Sequence, residues 1–194
     1  MASKIGIIGD GNVGAALERG LKRAGYEVKA AGADKRANRD TAAWADVVIF
    51  AVPFGAVADV AKEIKDAVSG KVVVDATNAL DEKMALAIGY TTSGAEELQK
   101  KLPDARVVKT FNMIFAQHMD TGRLRDTPLT AFVAGDDARA KSTALELARK
   151  IGFDAIDAGP LANARLLEPL GYLNIQLGYV LGLGTQVGFK LLHA

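Results

Sequence analysis

"IIGDGNVGAALERG" (residues 7–20) is the stretch on which the fold turns. Three glycines, Gly9, Gly11 and Gly14, follow a short apolar run and precede an Ala/Leu-rich segment. Glycine is common at tight turns for steric reasons alone, so the spacing by itself is weak. Its setting is stronger, because it joins a strand to a helix in the first βα unit of the chain. There Gly9 permits the turn, Gly11 lets the backbone approach a pyrophosphate, and Gly14 lets the helix lie close to the strand. The helix N-terminus then offers free N–H groups and a partial positive charge to phosphates.

Outward from that stretch the pattern alternates. Residues 4–9, 26–32, 46–52, 71–77, 106–111, 129–135 and 153–159 are short, rich in β-branched residues and bounded by turn residues, which predicts strands. Residues 12–24 carry Val13, Ala16, Leu17 and Leu21 as the stripe of an amphipathic helix. Residues 57–68, 95–102, 138–151 and 161–177 behave alike. Strands that are apolar throughout need helices on both faces. The expectation is an α/β fold, a Rossmann-type, doubly wound, mostly parallel sheet with a C-terminal helix, in a single domain over residues 1–194. The helical segment from about residue 161 is expected to pack on that domain or on a dimer partner.

Composition narrows the function. The 194 residues are 49% hydrophobic and 24% charged, with formal net charge +1. That suits a soluble domain and gives no reason to expect nucleic acid or an anionic membrane as partner. No cysteine is present, which excludes disulfides, thiolate catalysis and Cys-type zinc sites. No metal-ligand set is assigned. The opening "MASKIGIIGD" does not read as a signal peptide, since its apolar run is short and enters the glycine motif directly. The tail "LLEPLGYLNIQLGYVLGLG" is apolar, but Glu168, Pro169, Asn174, Gln176 and repeated glycines argue against a lipid-facing helix. It reads better as a packed or dimer-forming helix. A cytoplasmic homodimer is the expectation.

The second strand bears on the choice of dinucleotide. An acid at its end accepts from a ribose 2′-OH, whereas cations meet a 2′-phosphate. Here "AAGADKRANRD" offers Asp34, past Gly32, crowded by Lys35, Arg36 and Arg39. Several cations favour phosphate and hence NADP, with Lys35 and Arg36 as its contacts; a solvated basic turn is the bland alternative. "AVPFGAV" (residues 51–57) marks where the chain leaves the third strand. Ala51, Val52 and Pro53 are candidate walls of a cofactor site there, or plain turn and core residues. Residues 77–98 form the longest aperiodic stretch and follow the C-terminal end of a strand, where α/β sheets hold ligands. Asn78 in that stretch is assigned to the cofactor.

Acid–base groups are scarce. His118 and His193 are the only histidines, and His193 lies next to the C-terminus. No residues remain for a separate substrate domain. The second reactant is therefore expected to dock on the Rossmann face, and a flavin-like acceptor fits, since it takes a hydride at ring carbon with little help from protein acids. A rival of another class is a non-catalytic dinucleotide-sensing module acting through a partner protein.

"IGDGNVGAAL", "DATNAL", "TSGAEELQKKLPDARVVKTFN", "FVAGDD" and "DAGPLANARLLEPL" resemble the NADPH-dependent F420 reductases, also called coenzyme F420-dependent NADP oxidoreductases. The resemblance runs from Lys4 to about Leu192. "VVKTFN" is also similar to the cytosolic reductase domain of the six-transmembrane metalloreductases. The resemblance implies hydride transfer between NADP(H) and a stacked deazaflavin (F420) or flavin, in a dimer sharing its C-terminal helices. It implies phosphate-loop roles for Gly9, Gly11, Asn12, Val13 and Gly14. Where relatives carry Ser-Arg after the second strand, this chain has Ala33 and Asp34. Where they carry His-Thr-Ile-Pro at the deazaflavin site, it has Asn112, Met113, Ile114 and Phe115. Asn112, Met113 and Ile114 are assigned to the acceptor pocket together with Gly184, from the glycine-rich turn at residues 181–192. For Asn112 the alternative is a capping Asn after a strand. F420, flavin and small quinone-like acceptors all stay open.

Overall fold

The computed structural model describes residues 4–192. Its strands are β1 (Lys4–Ile8), β2 (Glu27–Ala31), β3 (Val47–Phe50), β4 (Val72–Asp75), β5 (Arg106–Lys109), the short hairpin β6 (Arg123–Leu124) and β7 (Thr127–Pro128), β8 (Thr130–Gly135) and β9 (Asp154–Asp157). The helices are α1 (Asn12–Arg23), α2 (Lys35–Trp44), α3 (Val57–Ile64), α4 (Gly94–Lys101), α5 (Ala116–Met119), α6 (Ala138–Ile151) and α7 (Ala164–Ile175).

Seven strands make one sheet in the order β2-β1-β3-β4-β5-β8-β9. β1 to β5 pair in parallel, with Ile7 opposite both Ala30 and Ile49, and Val74 opposite Val108. β8 runs antiparallel to β5, and β9 parallel to β8. Alternate residues of each strand face opposite sides. On one side Ile5, Ile7, Val47 and Ile49 pack with Ala16, Leu17 and Leu21 of α1 and Ala144 and Leu147 of α6. On the other, Ile8, Val48 and Phe50 pack with Ala42 of α2, Val60 and Ile64 of α3 and Leu98 of α4. Both faces are covered, which is why β1, β3 and β4 carry no polar alternation, whereas the edge strand β2 does, with Glu27 and Lys29 exposed.

All seven expected sheet strands are present. Two helices are not anticipated by the sequence reading: the single turn α5, and α2, which occupies the supposed basic turn. Its buried stripe is Asn38, Thr41 and Ala42, small and polar residues that produce no apolar period. Asp34 starts it as N-cap, its Oδ1 accepting from the Ala37 N–H at 2.7 Å. The C-terminal segment is also less regular than expected. A 3-10 turn (Leu161–Asn163) leads into α7, and a π-helical turn (Gln176–Val180) ends it. Among the described residues no helix is long and apolar enough to cross a membrane. His193 lies outside the described residues.

Candidate functional site

The chain reverses direction across the sheet between β1 and β3, and the glycine loop sits at that switch point, at the C-terminal ends of the strands. Gly9 has φ +113°, and a Cβ there would lie 2.3 Å from the Ala51 carbonyl oxygen. A Cβ on Gly14 would lie 1.8 Å from the Gly9 carbonyl oxygen. Neither position has room for a side chain. Gly11 differs: it is the extended N-cap residue of α1, and a Cβ on it meets nothing within 4 Å. Among the described residues, its leading N–H groups and positive dipole end have no side-chain cap and no first-turn acid.

A cavity opens on each side of this loop. The first, about 430 Å³, lies between the loop, the end of β2, and α2 and α3. Ala51, Val52, Pro53, Ala56 and Val60 give it apolar walls, and Asp10, Lys35, Asn38, Asp59 and Glu63 bring polar groups. Lys35 Nζ stands 3.2 Å from Glu63 Oε1. Arg36 does not line the cavity; it is exposed and reaches toward Asp40 at 3.9 Å. Asp34, as a helix cap, is likewise turned to its own backbone. The acid nearest the tip of β2 is instead Asp10, whose Oδ2 lies 2.4 Å from where a Cβ of Gly32 would stand.

The second cavity, about 210 Å³, lies on the other side of the loop. Asn12 and Val13 from the first turn of α1 line it, with Asn78, the 112–116 segment, and Gly171, Asn174 and Tyr179 from α7 and the turn after it. Phe111, just past β5, adopts φ +68° while its ring is buried against Phe153, with centroids 5.6 Å apart. A bulky residue in that region is strained, and the bend carries Asn112 beneath α7. Asn112 Nδ2 donates to the Leu167 carbonyl at 2.8 Å, and Asn78 Nδ2 to the Asn112 carbonyl at 2.8 Å. Asn174 Nδ2 donates to the Met113 carbonyl at 2.8 Å. The side-chain oxygens of Asn112 and Asn174 are buried with no partner. Gly171 permits this close packing, since a Cβ there would lie 2.6 Å from Asn112 Nδ2.

The cavity's far wall corrects the sequence reading. Gly184 does not line it. Its N–H donates to the Gly178 carbonyl at 3.0 Å, and it is exposed. The wall is α7 together with Tyr179, which meets Phe115 edge-on at 5.3 Å. The buried His118 is turned to the tail, its Nε2 3.0 Å from the Thr185 carbonyl.

A polar cluster that sequence reasoning missed supports this wall. Lys109 Nζ, fully buried, lies 3.0 Å from Asp75 Oδ2 and 2.9 Å from Glu168 Oε1, and donates to the Thr77 carbonyl at 2.6 Å. Glu168 also accepts from the Gly94 and Ala95 N–H groups at the start of α4. Burial alone would lower the Lys109 pKa; the Asp75 and Glu168 carboxylates outweigh it and hold it raised. The signal in the sequence was a charge closing each apolar run: Asp75 after "VVV", Lys109 after "VV", Glu168 after "LL".

This sheet, with its reversal at the glycine loop, places the protein in the Rossmann-type class. The family described as NADP oxidoreductase, coenzyme F420-dependent, matches residues 29–79. The F420-dependent NADP reductase of Methanothermobacter thermautotrophicus is 35% identical over 173 residues, 82% of this chain and 74% of that protein. The metalloreductase STEAP3 of Rattus norvegicus is 29% identical over 87% of this chain, which spans only 36% of that protein's length. The crystal structure of a candidate F420-dependent NADP-reductase from Arthrobacter sp. FB24 matches with a TM-score of 0.90 at 29% identity, covering 98% of this chain and all of that one. The chain belongs to the F420-dependent NADP reductase family.

Proposed function

We propose that the protein exchanges a hydride between NADP(H) and a deazaflavin of F420 type. The observation that carries this reading is the pair of cavities flanking an uncapped, glycine-lined helix N-terminus. A dinucleotide laid over Gly11 has its pyrophosphate on the free N–H groups of α1, its adenosine in the first cavity and its nicotinamide toward the second. Lys35 is the cation available in the first cavity for a 2′-phosphate. When bound, the nicotinamide and the deazaflavin supply the hydride donor and acceptor carbons. The chain's own part is to bind, orient and exclude water. The Met113, Ile114 and Phe115 side chains make the second cavity largely apolar, and the partnerless Asn112 and Asn174 oxygens fit ring N–H or carboxamide donors. Apart from Tyr179, no side chain lining that cavity exchanges protons, which suits transfer between two ring carbons. Flavin uses the same chemistry and is the alternative acceptor.

Assembly as a homodimer is part of the proposal. Leu166, Leu173, Val180, Leu181 and Leu183 are exposed along α7 and the segment after it, apolar surface that a second copy of the chain would cover. Purified protein, NADPH and a panel of oxidised F420, FMN, FAD and a ferric chelate test the activity. Fastest NADPH oxidation with F420 is expected. Tight NADPH binding without turnover on any acceptor would instead favour a dinucleotide-sensing module.

A further inference from the structure

The carboxylate at the tip of β2 does not come from β2. The Gly9 N–H donates to the Ala31 carbonyl at 2.7 Å, which ties the entry of the glycine loop to the end of that strand. Asp10 follows, and its side chain is laid over Gly32. A Cβ on Gly32 would stand 2.4 Å from Asp10 Oδ2 and 2.9 Å from Oδ1, so only a residue without a side chain leaves the carboxylate that place. Asp10 is exposed and lines the first cavity, and among the described residues its carboxylate makes no hydrogen bond or ion pair. Lys35, the cation lining that cavity, is held by Glu63 at 3.2 Å. The lining thus sets a free carboxylate near an ammonium that is already paired.

We propose that Asp10 accepts the ribose 2′-hydroxyl of NADH, so that this site takes NADH alongside NADPH. The inference rests on the dinucleotide reading and adds NADH to its substrates. An acid at the end of the second strand is the usual partner of that hydroxyl. Here the glycine loop supplies it, since Asp34 is used in capping α2. A 2′-phosphate has to draw Lys35 away from Glu63 and then lie near the Asp10 charge, and a repulsive element of this kind discriminates as well as a missing contact. The two dinucleotides meet opposite advantages: the hydroxyl finds a free acceptor, and the phosphate finds a shared cation. Both carry the same nicotinamide, so the hydride transfer itself is unchanged.

The test is binding, read by calorimetry on the whole chain without any acceptor, with NADH and NADPH as the probes. Wild type is expected to bind the two within about tenfold of each other. Asp10→Asn keeps the shape of an exposed side chain and removes its charge. It should tighten NADPH and weaken NADH, moving the ratio of their dissociation constants at least about tenfold toward NADPH. Asp59→Asn removes a charge from the α3 side of the same cavity and should move that ratio by less than about twofold. A wild type that prefers NADPH by more than about tenfold overturns the inference. So does a ratio that Asp10→Asn leaves unmoved, or that Asp59→Asn moves as far. Each of these results leaves the dinucleotide reading standing. If neither dinucleotide binds, that reading fails and the inference falls with it.

Discussion

Lys109 and Asn112 are close in sequence, yet their side chains enter polar clusters of opposite character. The Lys109 ammonium has three acceptors for its three N–H groups: Asp75, Glu168 and the Thr77 carbonyl. The second carboxylate of that cluster gives it an excess negative charge, and the N-terminus of α4 meets it through the Gly94 and Ala95 N–H groups. Nothing there awaits a ligand. Around Asn112 the donors are used and the acceptors are not: Nδ2 is bonded, while Oδ1, like that of Asn174, has no partner. A closed cluster fixes the position of β4, β5, α4 and α7. An open one, held by that scaffold, has capacity left for something bound.

The largest effect should come from breaking the closed cluster. Lys109→Met leaves Asp75 and Glu168 facing each other in the interior with no cation, and removing one partner of a buried pair costs about 3–5 kcal/mol. Urea unfolding at neutral pH should show that loss. A change under about 1 kcal/mol would mean that the cluster is not the scaffold of the site. The pH dependence has a definite sign. A lysine whose folded-state pKa is raised contributes its stabilisation below the unfolded value, about 10.4, and loses it only as pH climbs through the folded value. Lys109 should therefore cost no stability between neutral pH and the unfolded value, above which its contribution falls progressively.

Next comes the glycine loop, which separates binding from folding. Gly11→Val adds a side chain where the chain offers open space at an ordinary φ of −68°, so folding should persist. That side chain stands over the N–H groups of α1, and NADPH binding should fall by at least about a hundredfold, some 2.7 kcal/mol. Gly14→Val drives a Cβ into the Gly9 carbonyl and should lower the melting temperature instead. Calorimetry and thermal melts on the two variants distinguish these outcomes. Unchanged affinity in a folded Gly11→Val protein would remove the pyrophosphate from this loop.

The two halves of the cleft also differ in how far the sequence exposes them. The glycine loop, β1 and β3 are local: consecutive residues make the turn, and the apolar runs need both faces covered. Gly9, Gly11 and Gly14 were therefore readable from their spacing together with the strand and helix that flank them. The α2 side was not, because its buried stripe is Asn38, Thr41 and Ala42, and Asp34 resembled a ribose acid while acting as a helix cap. The second cavity was half readable. Asn112, Met113 and Ile114 follow a strand and line one cavity, but its opposing wall comes from residues far along the chain. Gly171 and Asn174 looked like interruptions of an apolar tail. They are the small and polar positions that let α7 sit on Asn112. No periodicity announces that contact, since it depends on how β5 and α7 meet in space.

A smaller effect is expected at Lys35. It is mostly exposed and its ammonium is shared with Glu63, so a 2′-phosphate must compete with an existing partner. Lys35→Ala should weaken NADPH about tenfold and NADH much less. Arg36→Ala, at a residue outside the cavity, should change neither by more than about twofold. If Arg36→Ala matched Lys35→Ala in binding assays, the basic segment would rearrange on binding.

The smallest effect belongs to the surface end of the same scaffold, where α7 is tied to α4. Arg165 donates to both carboxylate oxygens of Glu96, through Nε at 2.9 Å and Nη2 at 2.6 Å. Ser93 N-caps α4 by accepting from the Glu96 N–H, and its hydroxyl donates to the Glu96 carboxylate at 2.8 Å, so Glu96 holds both the cap residue and an interhelix pair. The Arg165 hydrogen bonds, aided by Ser93, hold the Glu96 pKa below the ordinary glutamate value. A carboxylate depressed in this way contributes stability above its unfolded pKa, about 4.3, and loses it as pH falls through the folded value. Solvent screens the exposed guanidinium, so the contribution is small beside that of Lys109. Arg165→Met should lower the melting temperature slightly at neutral pH, and the gap to wild type should close in acid, once Glu96 is protonated in both proteins. The same comparison on Lys109→Met should keep a gap at mildly acidic pH, because no solvent reaches its carboxylates. A gap for Arg165→Met that persists in strong acid would show that the shape of the side chain matters more than its charge.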